Sequence, residues 1–315
     1  MNRGLMQLFV KISDTKNFTK AGKELYMTQP AVSRAVAALE AELGVKLIAR
    51  DRRCGVYFTD IGERILGLFK EILTYFERID QEVAREKGRD TGIVRIGVFP
   101  SASSFFIPKI ISSVAENYPK IEFILHEGTI DEIKERLTSR EVDVGLIVPS
   151  GRDELITFPL YREEIYTVLN ENHALAAKSV IQAGDLMDQP LIICKYDYKP
   201  PVRDWFKHSG IQPQFKYVLN NYMTTLNMVQ EGLGIGLMSE LSTINLPNKV
   251  IIRKLDPKWY REIHLAVSSL TDSSIASQVF IRTALHLFES RSNLENSLVK
   301  KLGHQIVPRD DFRHI

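Results

Sequence analysis

Residues 17–44, NFTKAGKELYMTQPAVSRAVAALEAELG, carry the pattern on which the reading of the whole chain turns. From Phe18 to Tyr26 a short helix puts Ala21, Leu25 and Tyr26 on one face, and Gly22 lets a neighbouring helix approach closely. Met27 and Thr28 break that pattern. Thr28 is placed to cap a second helix, Pro30 fits its first turn, where a missing N–H costs little, and Gly44 stops it. In between, Val32, Val36, Leu39 and Leu43 form a stripe to be buried, while the opposite face starts with Gln29, Ser33 and Arg34 and continues with small Ala37 and Ala41. Two helices joined by a turn of about three residues, the second polar at its amino-terminal end, have the helix-turn-helix layout in which those polar groups meet base edges in the major groove. Gln pairs bidentately with adenine and Arg with guanine, and hydroxyls and a helix N-terminus hold phosphate.

Upstream, Leu5, Leu8, Phe9 and Ile12 recur at helical spacing and predict a helix running to about Thr15. Downstream of Gly44, short strands around residues 46–49 and 56–58 flank Arg50, Asp51, Arg52, Arg53 and Gly55, a basic hairpin or wing. Charge follows this division: residues 1–60 hold ten Lys/Arg against six Asp/Glu, a net of +4, whereas residues 91–290 hold 20 against 23, a net of −3. Positive charge here would neutralise phosphates and release counterions. Periodicity alone leaves open a plain three-helix core with an incidental basic loop.

The motifs narrow that choice. Asn17-Phe18-Thr19-Lys20-Ala21-Gly22, the run Leu25 to Arg34, and Leu39-Glu40-Ala41-Glu42-Leu43-Gly44-Val45-Lys46-Leu47-Ile48-Ala49-Arg50 closely resemble the LysR-type transcriptional regulator family, in fixed register. Gly22 replaces a usual alanine, Ile48 a usual phenylalanine, and Thr59-Asp60-Ile61-Gly62 the usual Thr-x-Ala-Gly. None of these falls on a residue that the resemblance implies to contact DNA. Residues 1–59 are therefore expected to be a winged helix-turn-helix domain contacting DNA through Thr19, Lys20, Thr28, Gln29, Pro30, Ser33, Arg34, Arg50, Arg52 and Arg53.

From Asp60 to about Lys87 there is no proline, and Ile61, Ile65, Leu68, Ile72, Tyr75 and Ile79 alternate at spacings of four and three, a coiled-coil seam widened by Phe69, Phe76 and Val83. The stripe could pack on its own chain's core. A seam this long beside a small domain is expected to meet a second copy instead, and the resemblance implies the same dimer. Residues 60–90 are thus a dimerisation helix followed by a hinge at Gly88, Arg89, Asp90, Thr91 and Gly92.

Beyond it, a β-branched run, Ile93 to Val98, ends in Pro100, Ser101, Ala102, Ser103 and Ser104, with a helical pattern from about Phe105 to Asn117. Strand 121–126, helix 130–139 and strand 142–148 continue an alternation that predicts a parallel sheet, whose ligands sit beyond the carboxyl ends of strands. Ser101, Ser103, Thr129 and Val148 lie at such ends. A second unit runs through strands 165–169, 191–194 and 215–219 with helices 201–209 and 224–231, then the glycine run Gly232-Leu233-Gly234-Ile235-Gly236. That run follows a helix and becomes a strand, so it reads as a tight turn and not as a phosphate cradle. Strand 263–268 and helix 274–290 close the module.

Two lobes joined by crossings near Tyr161–Glu164 and Ala266–Leu270 resemble the effector domain of the same family, built like periplasmic binding proteins. The chain as a whole is thus expected to be an α/β multidomain protein: winged helix-turn-helix, long dimerisation helix, and an effector domain at 91–290. Lobe I would comprise 91–162 and 269–290, lobe II 163–268, with a tail at 291–315. The resemblance implies an effector held between the lobes by Ser101, Ala102, Ser103, Thr129, Val148, Tyr196, Pro201, Val202 and Met223. Some relatives carry an arginine for a carboxylate where Val148 stands, which weakens the transfer of an aromatic-acid ligand. Helix N-termini near the hydroxyls favour an anion such as a carboxylate, with Lys195, Lys199 and Arg203 facing them, although Ser101 and Ser103 could merely cap a helix and the three bases could simply be solvated.

Other chemistry finds little support. Cys54 and Cys194 lie 140 positions apart without metal-ligand spacing, and the histidines at 126, 173, 208, 264, 286, 304 and 314 fall in no HExxH or nucleophile–base signature. Neither catalysis, cofactor nor metal is expected. A secreted solute-binding protein would fit the lobes, but no leader-like segment opens the chain and no stretch reaches about 18 uninterrupted apolar residues. A cytoplasmic regulator is expected, with a pseudo-palindromic duplex, a small effector and further copies of itself, as homodimer or homotetramer, for partners. RNA polymerase is a further candidate.

Overall fold

The computed structural model describes residues 1–51, 55–86, 91–150, 154–194 and 202–288. Two compact units emerge: Met1–Gly92 with Ser139–Glu141 and Thr271–Ala276, and Ile93–Thr138 with Val142–Leu270 and the chain from Ser277.

In the first unit α1 (Arg3–Thr15), α2 (Phe18–Glu24) and α3 (Gln29–Leu43) precede a hairpin of β1 (Ile48–Asp51) and β2 (Gly55–Phe58), then α4 (Asp60–Glu86). Asn2 caps α1 by accepting the Leu5 N–H at 3.0 Å, and Asn17 caps α2 by accepting those of Thr19 and Lys20. β1 and β2 pair antiparallel, Ile48 opposite Phe58. Leu8, Phe9, Ile12, Ala21, Val32, Val36, Leu39, Leu47, Phe58, Leu66 and Phe69 make one core, with Phe9 edge-on to Phe58 and Phe69. The α2–α3 turn requires a glycine at position 22: a Cβ there would stand 2.6 Å from the Met27 carbonyl oxygen.

Three expectations change in this unit. Leu43, expected to end the buried stripe of α3, is 38% exposed, because it sits at the last helical position before Gly44 and beyond the reach of the domain core. Thr28 occupies the N-cap position of α3, but its side chain makes no capping hydrogen bond. Tyr26 does not share a buried face with Ala21 and Leu25; the helix ends at Glu24 and Tyr26 lies in the turn, fully exposed. Of the expected hinge, residues 88–90 lie outside the described residues, and Thr91 and Gly92 begin the next strand.

The second unit is built on ten hydrogen-bonded strands. They are β3 (Thr91–Val98), β4 (Lys120–Glu127), β5 (Val144–Ile147), β6 (Ile156–Asn170), β7 (Val180–Gln182), β8 (Leu191–Cys194), β9 (Phe215–Leu219), β10 (Ile235–Ser239), β11 (Val250–Asp256) and β12 (Tyr260–Val267). The helices are α5 (Pro100–Asn117), α6 (Ile130–Thr138), α7 (Arg203–His208), α8 (Tyr222–Gln230) and α9 (Ile275–Phe288). The order is β4-β3-β5-β12-β6-β10-β8-β9, with β11 paired to β6 and β7. The expected parallel pairing holds for β3 with β5 and for β8 with β9 and β10, but the spine of β5, β12, β6 and β10 is antiparallel.

Strand β6 is the crossing itself. Its residues 156–164 pair with β12, while 165–168 pair with β10 and 166–170 with β11. The return crossing differs from the one expected near Ala266–Leu270: β12 pairs with β5 and the first half of β6, so residues 260–267 belong to the first lobe's strands and the chain returns between Asp256 and Tyr260. Apolar periodicity marks a strand without naming its neighbours, which is why the boundary moved. Helix α5 starts at Pro100, five residues before the expected Phe105, because Pro100 and the small Ser101, Ala102 and Ser103 fit a first helical turn. The glycine run is the expected helix-to-strand turn: Gly232 has φ +72°, and a Cβ on Gly234 would meet the Pro190 carbonyl oxygen at 2.2 Å.

Candidate functional site

The first candidate surface lies on α2 and α3. Val32, Val36 and Leu39 bury one side of α3 in the domain core, which turns Thr28, Gln29, Pro30 and Arg34 to solvent. Ser33 is partly buried beside them. Thr19 and Lys20, exposed in the first turn of α2, complete this face. Neither helix has an acidic residue in its first turn, so their positive ends are not neutralised locally. Arg50 is in β1, while Arg52 and Arg53 lie outside the described residues.

Glu40, quoted above only as part of a motif, connects α3 to the hairpin. It is buried, and its Oε1 accepts the N–H groups of Leu47 at 2.9 Å and Ile48 at 3.1 Å, while Lys46 Nζ donates to Oε2 at 2.6 Å. The carboxylate thereby fixes the entry to β1 against α3. No sequence signal distinguishes it from neighbouring Glu42, since only the return of the chain at Lys46–Ile48 supplies its donors.

The second candidate surface gathers the carboxyl ends of the first-lobe strands. The Gly128 N–H bonds the Val98 carbonyl at 3.2 Å, tying the end of β4 to that of β3. Ser101, Ala102 and Ser103 form the first turn of α5, Thr129 precedes α6, and Val148 follows β5. Ser101 and Ser103 are nearly buried, 5% and 9% exposed, and the N-cap of α5 makes no side-chain capping bond. Ser104 donates back to the Pro100 carbonyl at 3.0 Å. The α5 N-terminus thus offers uncapped N–H groups and no acidic residue in its first turn.

Thr129 is different. Its N–H donates to Glu132 Oε2 at 2.7 Å and its hydroxyl accepts the Glu132 N–H at 3.3 Å, a reciprocal capping box that already places a carboxylate on the α6 N-terminus. The Thr129 N–H and hydroxyl bonds hold the Glu132 carboxyl below its ordinary pKa. The α6 N-terminus therefore already carries a carboxylate, and the first turn of α5 carries none.

The second-lobe candidates separate. Tyr196 and Pro201, with Lys195 and Lys199, lie outside the described residues. Val202 is fully buried in the second-lobe core with Trp205 and Phe206, and Ala102 is likewise wholly buried, so neither side chain is presented to a ligand in this structure. Met223, in the first turn of α8, is exposed, and Arg203 pairs with its neighbour Asp204 at 3.1 Å.

At the crossing the structure reveals a group with no sequence signature. Arg261 of β12 stands opposite Glu163 of β6 in register, and both are buried. Arg261 Nε donates to Glu163 Oε1 and its second guanidinium arm to Ser239 Oγ at 2.8 Å; Glu163 Oε2 accepts the Leu241 N–H at 2.9 Å. The guanidinium also lies 5.2 Å from the Phe99 ring, the residue preceding α5. The pair therefore links both crossing strands to β10 and to the turn that carries Ser101. Among the described residues no group of His, Cys, Asp and Glu could hold a metal ion, and no helix is long and apolar enough to cross a membrane.

Two family profiles match the chain: the bacterial regulatory helix-turn-helix protein of the lysR family over residues 4–63, and the LysR substrate binding domain over residues 87–289. The HTH-type transcriptional regulator YvbU of Bacillus subtilis (strain 168) is 44% identical over 285 residues, covering 90% of this chain and 97% of its own length. The regulator YoaU of the same organism is 32% identical over 283 residues, with the same coverage of 90% and 97%. Among solved structures, a full-length OxyR from Pseudomonas aeruginosa, carrying a cysteine-to-aspartate substitution, has a TM-score of 0.70 at 21% identity, over 90% of this chain and 97% of its own. CbnR complexed with its target DNA has a TM-score of 0.61 at 19% identity, over 91% and 99%.

Proposed function

The chain belongs to the LysR family of bacterial helix-turn-helix transcriptional regulators, and on that premise we propose that it is a cytoplasmic homodimer reading a pseudo-palindromic operator through α3. It is a DNA-binding regulator with an effector domain, and the finer assignments follow from its geometry. Thr28, Gln29, Pro30, Ser33 and Arg34 supply base and phosphate contacts, Thr19 and Lys20 hold the backbone, and the wing with Arg50, Arg52 and Arg53 adds charge. The effector sits against the α5 N-terminus, where Ser101, Ser103 and Thr129 offer hydroxyls, Val148 an apolar wall and Met223 a contact from the second lobe; Tyr196 and Pro201 stay as contacts proposed from the sequence alone. A compact anion such as a small carboxylate suits that end. Association of dimers into a tetramer and contact with RNA polymerase complete the proposal. We keep the division into residues 1–59, 60–90 and 91–290, moving 260–267 to the first lobe.

The observation that carries the DNA reading is the exposed, unneutralised N-terminal face of α3 on a helix whose other side is locked in the core. Gln29→Ala and Arg34→Ala are each expected to weaken binding to a duplex selected from a random library by the full-length protein by about 1–3 kcal/mol, with little change on unselected duplex. Equal losses on both duplexes would make these phosphate contacts, and no loss on either would remove α3 from the interface.

A further inference from the structure

Tyr26 occupies a position where the fold asks for a different residue. The turn from α2 to α3 closes because the N–H groups of Leu25 and Met27 both return to the Gly22 carbonyl, at 3.1 and 2.8 Å. Between them Tyr26 takes φ +55°, the left-handed region that favours Gly or Asn and disfavours a bulky side chain. An aromatic residue there costs conformational energy, and packing returns none of it, since Tyr26 is 100% exposed. Lys20 and Lys23, both exposed on α2, precede it by six and three residues, and Thr28, whose hydroxyl makes no capping bond at the positive end of α3, follows it by two. This surrounding charge complements a polyanion.

We propose that Tyr26 is a DNA-contacting residue, its ring and hydroxyl seated on the sugar–phosphate backbone flanking the groove that α3 enters. The inference rests on the reading of α3 given above. A tyrosine hydroxyl donates to a phosphate oxygen, and a ring projecting from a fixed turn loses little freedom on docking. Such a contact positions the recognition helix without reading bases.

The test uses the full-length protein with two labelled duplexes of equal length, one selected from a random library by the wild type and one unselected, at a single salt concentration. Tyr26→Asn and Tyr26→Gly both suit the left-handed turn, so neither is expected to lower the thermal midpoint. Each should weaken both duplexes about tenfold, the size of one hydrogen bond to a charged group. The dependence of affinity on salt, followed in a second series, should keep its slope, because no charge is removed. Wild-type affinity in both variants overturns the proposal, and a loss confined to the selected duplex overturns it in favour of a base contact. Arg34→Ala, run in parallel, separates the two levels: a weakened Arg34→Ala beside unchanged Tyr26 variants sinks only Tyr26, whereas unchanged binding in all three sinks the reading of α3 as well.

Discussion

Glu40 joins local electrostatics to the shape of the DNA-binding domain. Burial pushes its carboxyl pKa up, but the bonds from Lys46, Ile48 and Leu47 together outweigh burial and leave it below the ordinary value of 4.5. A group whose folded pKa is depressed contributes stability that is fully present above its unfolded pKa and is lost as pH falls through the folded one. The contribution of Glu40 is thus intact at pH 7 and declines below about pH 4.5. Glu40→Gln keeps the shape but loses the charge, and is expected to cost about 1–3 kcal/mol at pH 7 in denaturant unfolding of the full chain. The gap from wild type should close as the buffer is taken below about pH 4. A gap that stayed constant with pH would mean that the charge of Glu40 does not contribute. Pattern reading of residues 17–44 identified the apolar side of α3 and the polar face opposite it, yet it passed over Glu40, because a buried carboxylate is recognised by donors that arrive from another element.

Helix α4 shows the same gap for a whole element. Its 27 residues and its amphipathic pattern were legible in the sequence, but the heptad reading assigned one stripe to one partner. The structure splits that stripe. Ile61, Ile65, Ile72 and Leu73 pack against the core of the helix-turn-helix domain, in which Leu66 and Phe69 are buried, and Arg3 lies over Phe76. Leu68, Tyr75, Ile79 and Val83 remain 42–58% exposed. Own-chain packing, held open above, thus accounts for the inner row and for the Tyr75 hydroxyl, which donates to Asp272 at 2.8 Å, and the exposed Leu68, Ile79 and Val83 are the surface proposed for a second copy. Leu68→Asp with Ile79→Asp is expected to dissociate the dimer in sedimentation while the thermal midpoint falls little, since both side chains are exposed. DNA affinity should fall with it, because one recognition helix covers a single half-site. Ile65→Asp should behave differently, destabilising the domain by about 1–3 kcal/mol through a charge set at the edge of an apolar core. A double variant that stays dimeric would place the main interface off α4.

For the whole molecule, the question is how a ligand on one lobe could be felt elsewhere. β6 runs through both lobes without interruption, and the pair Glu163–Arg261 joins it to β12, β10 and the turn before α5. Removing one member of such a buried pair typically costs about 3–5 kcal/mol, because the remaining charge is left uncompensated. The crossing is therefore held by contacts from several elements, and Ser101, the proposed ligand contact, lies two residues along the chain from Phe99. A thermal-shift screen of the full chain with small carboxylates, amino acids and aromatic acids should find a compound that raises the midpoint by mass action. Ser101→Ala should weaken that compound and leave the ligand-free midpoint near that of wild type. An inducer must also favour one arrangement of the protein over another, and a differential of about 1–3 kcal/mol changes operator affinity by about 5–150-fold. Undiminished binding to Ser101→Ala would move the site away from α5, and identical operator footprints with and without the compound would leave a ligand that regulates nothing.

Residues 5–58 by themselves determined the family, the three-helix core with its hairpin, and the face of α3 turned outward, because these depend on contacts between residues close in sequence and on a pattern of period 3.6. The β-branched runs likewise announced most strands and the two-lobed alternation. What only the tertiary structure decided was partnership. Which strand pairs with β12, where the chain returns between lobes, that Glu163 meets Arg261 across 98 positions, and that Val202 is core and not ligand surface all depend on which distant segments come together. An apolar stripe states that a side chain must be buried without stating against what, so the two rows of α4 were indistinguishable until the domain core covered one of them.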